Sequence, residues 1–112
     1  MIVTNDSKYL FMTDSDDSYG FLKQLDIGKQ TIIDYDKINT CMFSTMTISN
    51  DSKYLYIGDE DGHLKQLDIN NKIIKNYGKV MENTISTFEI THDGDVMFLL
   101  DILGRVVKWD LA

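Results

Sequence analysis

The residues best suited to chemistry in this chain of 112 residues are acidic and lie in short runs. Carboxylates gathered on one surface create a negative potential that attracts a basic peptide or a cation. Asp is also common in solvated turns, so ordinary turn residues are the alternative interpretation. The candidate partner-binding residues are Asp14, Asp16, Asp17, Asp59, Glu60, Asp61 and Asp101.

The spacing of these acids does not match a calcium-binding EF-hand loop. Such a loop has Gly at its sixth position and Glu at its twelfth. Counted from Asp14, these positions hold Tyr19 and Leu25, and counted from Asp59 the twelfth position holds Asn70. These runs therefore do not predict a calcium site, and we expect neither a metal site nor a cofactor in this protein.

Nucleophilic catalysis and zinc binding have little support in the sequence. Cys41 is the single cysteine and has no nearby histidine in the chain, while His63 and His92 stand apart from it and from each other. These positions do not have the ligand spacing of a zinc site. The sequence also lacks a Gly-rich phosphate loop of the Walker or dinucleotide type. We therefore expect no catalytic residues and a protein that is not an enzyme.

Charge and composition exclude several classes of protein. The formal net charge of −7 argues against a nucleic-acid binder, which normally carries a basic stripe. No apolar run approaches the roughly 20 residues that cross a bilayer, and the first eleven residues lack the apolar segment of a secretory signal. A lone cysteine fits a reducing compartment, so we expect a cytoplasmic protein, with the nucleus as the alternative.

Two six-residue segments each occur twice along the chain. Residues 5–10 and 50–55 both read NDSKYL, and residues 22–27 and 64–69 both read LKQLDI. The first pair is offset by 45 residues and the second by 42, because the first copy carries an insertion within residues 14–19. A diverged third copy keeps the 42-residue offset in the pairs Asp51 and Asp93, Gly62 and Gly104, and Asp68 and Asp110.

Each unit has the pattern of four strands. In the second unit, period-two alternation or strand-forming residues cover 44–49, 53–57, 63–69 and 72–80, with Asn, Asp and Gly between them. Four strands leave no room for a helix, and the period is that of one β-propeller blade. The sequence therefore predicts an all-β fold of tandem four-stranded antiparallel blades, in units of roughly 1–43, 44–85 and 86–112.

The third unit resembles the WD40-repeat family. Residues 90–94 (ITHDG) look like its strand-turn element and residues 107–110 (VKWD) like its closing Trp-Asp, while Leu25-Asp26 and Leu67-Asp68 stand at the same place in the other units. The Gly-His pair that often precedes a blade is missing, so no unit can complete the family's hydrogen-bonded tetrad. The resemblance implies a WD40-like propeller that serves as a platform for binding other proteins.

The predicted array is incomplete, with about 2.7 blades and 11 strands. Closed propellers have about 4–8 blades, so this array cannot close alone. A fragment of a longer protein, a truncated gene product and a self-associating subunit all remain open. We expect a non-enzymatic scaffold that binds other proteins or basic peptides, without nucleic-acid or membrane binding. The alternatives are a self-assembling structural module, which would be a homo-oligomer, and the propeller domain of an enzyme.

Overall fold

Antiparallel strands make up all the regular structure in the computed structural model, which describes residues 1–15, 20–39 and 42–111. This confirms the predicted all-β class and the predicted number of strands. The strands are β1 (Ile2–Val3), β2 (Tyr9–Ser15), β3 (Gly20–Asp26), β4 (Thr31–Asn39), β5 (Phe43–Ile48), β6 (Tyr54–Asp59), β7 (His63–Asp68), β8 (Ile73–Lys79), β9 (Ile85–Ile90), β10 (Val96–Asp101) and β11 (Val106–Asp110).

The strands form three sheets in which chain neighbours are also sheet neighbours. The first sheet has the order β1-β2-β3-β4, the second β5-β6-β7-β8 and the third β9-β10-β11. The repeated segments occupy equivalent places, because Leu10 lies opposite Leu25 in the first sheet and Leu55 lies opposite Leu67 in the second. The sheets follow one another as blades, with β5 packed against β9.

The NDSKYL segment folds as the turn between the first two strands of a sheet. In the second sheet Ser49 Oγ donates to Asp51 Oδ1 at 2.6 Å and accepts the amide N–H of Tyr54 at 3.0 Å. The amide N–H of Lys53 donates to the same Asp51 oxygen, and Ser52 has a φ of 60°. Such short polar side chains close a turn locally. The equivalent hydroxyl and carboxylate are Thr4 and Asp6 in the first sheet, and Thr91 and Asp93 in the third.

Apolar side chains fill the spaces between neighbouring sheets. A strand that is apolar on both faces is buried on both sides, as in the centre of a stack of sheets. The first core, between the first and second sheets, contains Phe11, Leu22, Ile48, Leu55, Ile57, Leu67 and Ile69. The second core, between the second and third sheets, contains Tyr56, Leu64, Met81, Ile85, Phe88, Met97 and Leu99.

Polar side chains of the second sheet form hydrogen bonds with one another next to the second core. Tyr77 Oη donates to Gln66 Oε1 and Gln66 Nε2 donates to Tyr56 Oη, each at 3.1 Å. Trp109 of the third sheet packs edge-on against Tyr77, with ring centroids 5.1 Å apart. The edge-on geometry is a favoured arrangement of aromatic rings. The third sheet is therefore fastened to the outer strand of the second through this pair.

A polar link also joins successive sheets at their first turns. Asn5 Nδ2 donates to the carbonyl oxygens of Ser49 and Asn50, both at 3.4 Å. Asn50 Nδ2 donates in the same way to the carbonyl oxygens of Thr91 and His92, at 2.9 and 3.0 Å. Because a residue of one unit repeats the contact of its equivalent in the unit before, the sheets meet in one repeated geometry.

Candidate interaction rim

The candidate site lies on the rim formed by the turns between the second and third strands of the sheets. In the second sheet Asp59, the last residue of β6, is buried. Its Oδ1 accepts the amide N–H groups of Asp61 and His63, both at 2.9 Å. Its Oδ2 lies 3.1 Å from His63 Nδ1. Asp59 therefore holds its own turn together, with its carboxylate directed inward.

The segment that leads from β8 to the third sheet crosses over this turn and is hydrogen-bonded to its backbone. The amide N–H groups of Val80 and Met81 donate to the carbonyl oxygen of Gly62, at 2.9 and 3.2 Å. Thr84 Oγ1 donates to the carbonyl oxygen of Glu60 at 2.7 Å. The backbone of the turn is thus fixed on two sides. The side chains of Glu60 and Asp61 are exposed on it.

The turn of the third sheet repeats this arrangement around Asp101. Asp101 is buried, and its Oδ1 accepts the amide N–H groups of Leu103 and Arg105, both at 2.9 Å. Asn83 Nδ2 donates to Oδ2 at 3.4 Å. Burial raises the pKa of the Asp101 carboxyl, but the hydrogen bonds from Arg105, Leu103 and Asn83 outweigh burial and leave the pKa below its usual range.

The acidic residues predicted from the sequence therefore fall into two groups. Asp14, Glu60 and Asp61 are exposed, whereas Asp59 and Asp101 are buried and hold turns. Asp16 and Asp17 lie outside the described residues. A sequence signal for the buried pair exists, since each precedes a glycine by three residues at the 42-residue offset: Asp59 and Gly62, Asp101 and Gly104.

Sequence reasoning missed a cleft near the first strands, between the first and second sheets. It has a volume of about 180 Å³ and is lined by Met1 and Ile2, by Thr13 and by residues 43–46 of β5. Ser44 Oγ in this cleft donates to the carbonyl oxygen of Ile85 at 2.5 Å, so its hydroxyl is engaged in packing β5 against β9. Among the described residues that line the cleft there is no histidine and no carboxylate.

The described part of the chain holds no group of three or more His, Cys, Asp or Glu side chains that could bind a metal ion. No helix that is long and apolar enough to span a membrane is present in it either.

Comparison with known proteins supports the fold. No protein-family model and no curated protein matches the chain. Among solved structures, the tricorn protease matches with a TM-score of 0.69 and 13% sequence identity, over 94% of this chain and 11% of that chain. The chain therefore spans about a ninth of the protein that it resembles. This likeness shows that the three sheets form a β-propeller-like array.

The same comparison contradicts one expectation from the sequence. We expected a protein that is not an enzyme, but the matched chain is a protease. The physical reason is that blades supply a scaffold, and the reacting residues of an enzyme can lie elsewhere on the same chain. The lack of catalytic spacing in these residues was therefore not sufficient ground for that expectation. At 13% identity the likeness concerns the fold and carries no activity over to this chain.

Proposed function

We propose that this chain is part of a WD40-type propeller in the cytoplasm, which binds basic segments of partner proteins through its acidic rim. The family assignment is supported by Thr91-His92-Asp93-Gly94 and by Trp109-Asp110, which stand at the strand-turn and closing positions of the third sheet. The β-propeller-like array of three sheets agrees with it.

The observation that carries the binding proposal is the fixed turn that presents Glu60 and Asp61. Their side chains are exposed, while the backbone between them is held by buried Asp59 and by the segment that crosses over Gly62. A binding surface that is already ordered loses less conformational entropy when a partner docks. Asp14, exposed near the end of β2, adds negative charge at the same end of the first sheet.

The formal charge of −7 supports a basic partner over an acidic one, because like charges oppose approach. Attraction between exposed charges is screened within about 10 Å at 0.1 M salt. Binding at this rim is therefore expected to weaken with ionic strength.

The test is the affinity of the chain for a fluorescein-labelled peptide of alternating Lys and Ser, measured by fluorescence anisotropy at low and high salt. Glu60→Gln combined with Asp61→Asn should weaken binding about three- to tenfold at low salt, as expected for two exposed charges. Asp59 is left in place, because its replacement would disturb the turn.

The matched control removes two carboxylates from the opposite rim. Asp95, just before β10, and Asp110, the last residue of β11, are exposed there, so Asp95→Asn with Asp110→Asn makes the same change in net charge. The control should bind the peptide nearly as well as the unchanged chain. Equal loss of affinity in both double variants would mean that net charge alone attracts the peptide, and the proposal would be wrong.

The likeness to the tricorn protease favours a second candidate, a propeller segment of a peptide-cleaving enzyme. Ser44 and Ser86 donate their hydroxyls to carbonyl oxygens, of Ile85 and Leu100, so in this second candidate the reacting residues lie elsewhere. Mass spectrometry of the peptide after incubation separates the two. Intact, bound peptide supports the binding rim, and cleaved peptide supports the second candidate.

A further inference from the structure

Each sheet has two faces, and we call them forward and rear. The forward face of a sheet is directed toward the sheet that follows in the chain, and the rear face toward the sheet that precedes. On the first sheet, Phe11 and Leu22 of the forward face are buried against Leu55 and Leu67 of the rear face of the second. Alternation along each strand assigns successive residues to opposite faces.

The next interface is built from the same register positions. Tyr56 and Leu64, which stand 45 and 42 residues after Phe11 and Leu22, form the forward face of the second sheet. They are buried in the second core together with Met97 of the rear face of the third. The forward-to-rear contact is therefore a repeated interface, and it occurs twice among the described residues.

The forward face of the third sheet has apolar residues at the same register positions, and no described residue packs against them. Phe98, equivalent to Tyr56, is 39% exposed where Tyr56 is 3% exposed. Val106, equivalent to buried Leu64, is 60% exposed. Ile102 and Leu103, at the positions of Glu60 and Asp61, extend the apolar surface onto the rim; both are exposed.

The rear face of the first sheet is exposed in the corresponding way. Val3 lies opposite Leu10, as Ile48 lies opposite Leu55 in the second sheet. Val3 is 48% exposed, whereas its equivalent Ile48 is 7% exposed in the first core. The array thus has one uncovered forward face and one uncovered rear face. Inside the chain, forward faces pack against rear faces.

The donors and acceptors of the polar link between sheets are also present beside these two faces. Asn5 and Asn50 each donate to two carbonyl oxygens of the first turn of the following sheet. His92 stands at the same register in the third sheet and is exposed. Its imidazole N–H is a hydrogen-bond donor at the position that the side-chain amides of Asn5 and Asn50 occupy in the other two sheets. In the first turn of the first sheet, the carbonyl oxygens of Thr4 and Asn5 are equivalent to the oxygens that accept these bonds.

From these equivalences we propose that two copies of this chain form a closed ring, with the forward face of each third sheet docked on the rear face of the other copy's first sheet. Docking would extend the repeated interface without a new kind of contact. A head-to-tail interface yields a closed ring or an open filament. Each copy supplies three sheets, so two copies supply six, within the range of about 4–8 blades for closed propellers, whereas one copy or three fall outside it.

The experiment is the solution mass of the purified chain by sedimentation equilibrium, with folding checked by circular dichroism. The expected result is twice the 12.9 kDa of one copy. Val106→Lys, on the forward face, should give the monomer mass, because it places a charge within the interface. Ile73→Lys is the matched control, since Ile73 is 62% exposed on the outer strand of the second sheet and so lies outside both uncovered faces, which belong to the third and first sheets. It should remain a dimer.

Val3→Lys, on the rear face, tests the head-to-tail pairing and should also give the monomer mass. A monomer of the unchanged chain at all concentrations overturns the proposal, as does a mass of three or more copies. A dimer that resists Val3→Lys but not Val106→Lys would show that two forward faces meet, and the ring would be wrong. Dissociation by Ile73→Lys to the same extent would also overturn it. Binding of the basic peptide at the rim is read separately and does not depend on these outcomes.

Discussion

The carbonyl oxygen of Met81 lies so close to Gly62 that a Cβ built on the glycine would stand 2.0 Å from it. Gly62 also has a φ of +86°, in the left-handed region that side chains rarely adopt. The segment after β8 therefore packs directly against the backbone of the turn that presents Glu60 and Asp61, and its amide N–H groups bond to the Gly62 carbonyl oxygen.

Gly62→Ala is expected to lower the free energy of unfolding by more than about 2 kcal/mol, because backbone strain and a backbone clash act together. Gly104→Ala is the matched control, since Gly104 is the register equivalent with a φ of +84° and nothing within 4 Å of its Cβ position. It should cost only about 1 kcal/mol of backbone strain. Urea titrations of both variants measure the difference, and equal costs would contradict the proposed role of the Met81 contact.

Tyr35→Phe should destabilise the chain more than Tyr77→Phe. Tyr35 Oη donates to Gln24 Oε1 at 2.7 Å, and Gln24 is buried, so its oxygen would be left without this donor away from water. Gln66, the acceptor of Tyr77, is only half-buried, and water can replace the lost hydroxyl. Costs of about 1–3 kcal/mol and about 0.5–1 kcal/mol are expected from denaturant midpoints. The reverse order would show that burial does not set the cost here.

The same tyrosine should make stability depend on alkaline pH. Burial, followed by repulsion from Tyr9, raises the pKa of Tyr35 from 10.0 to about 12. In the unfolded chain the phenol ionises first, so its contribution is fully present below about pH 10 and is lost as pH rises toward 12. Denaturant midpoints between these values should fall less steeply in Tyr35→Phe than in the unchanged chain. If the midpoints of both proteins fell equally with pH, the alkaline loss of stability would not arise from Tyr35.

The carboxylates of the first turns should make folding stability depend on acidic pH, with stability falling as pH falls. The hydrogen bond from Ser49 lowers the pKa of Asp51 below 3.8, although burial opposes it. The stabilisation is therefore present above pH 3.8 and is lost as pH falls through the lowered pKa. Asp51→Asn should be less stable at neutral pH and lose less stability in acid. Ser49→Ala should raise the pKa of Asp51 toward its usual value, as measured by carboxyl ¹³C NMR titration, and an unchanged pKa would assign the shift to another group.

Asp59→Asn should cost stability, whereas Glu60→Gln should not. Asp59 is buried and its carboxylate accepts hydrogen bonds from Asp61 and His63, while Glu60 is exposed on the neighbouring position. The amide of Asn keeps one acceptor oxygen but loses the charge and the second acceptor, which costs about 1–3 kcal/mol, whereas an exposed substitution stays within about 0.5 kcal/mol. Thermal denaturation followed by circular dichroism compares the two variants. Equal stability would mean that the Asp59 carboxylate does not hold the turn.

The sequence predicted strands and their order well, because the signals for them are local. The two NDSKYL copies form the same turn, in which Ser52 and its equivalent Ser7 have a φ of 60°, through bonds between residues at most five apart. The leucines of LKQLDI stand three residues apart and so lie on opposite faces of the strand, and in the second copy Leu64 and Leu67 are buried in the two different cores. A repeat of about 42 residues with four strands determines a blade, whatever it packs against.

The adjacent acidic residues Asp59 and Glu60 differ in burial, and no local sequence pattern distinguishes them. Asp59 turns inward and Glu60 outward because the segment after β8 returns over the turn, and that return depends on the packing of Met81 into the second core. The exposure of Phe98 beside buried Met97 likewise depends on which faces are covered by a neighbouring sheet. Amino-acid order by itself determined the strands, the turns and the class of fold, since hydrogen bonds and alternation act over a few residues. The tertiary structure alone decided which acids are exposed and which apolar faces are uncovered, because burial is set by contacts between residues far apart in the chain.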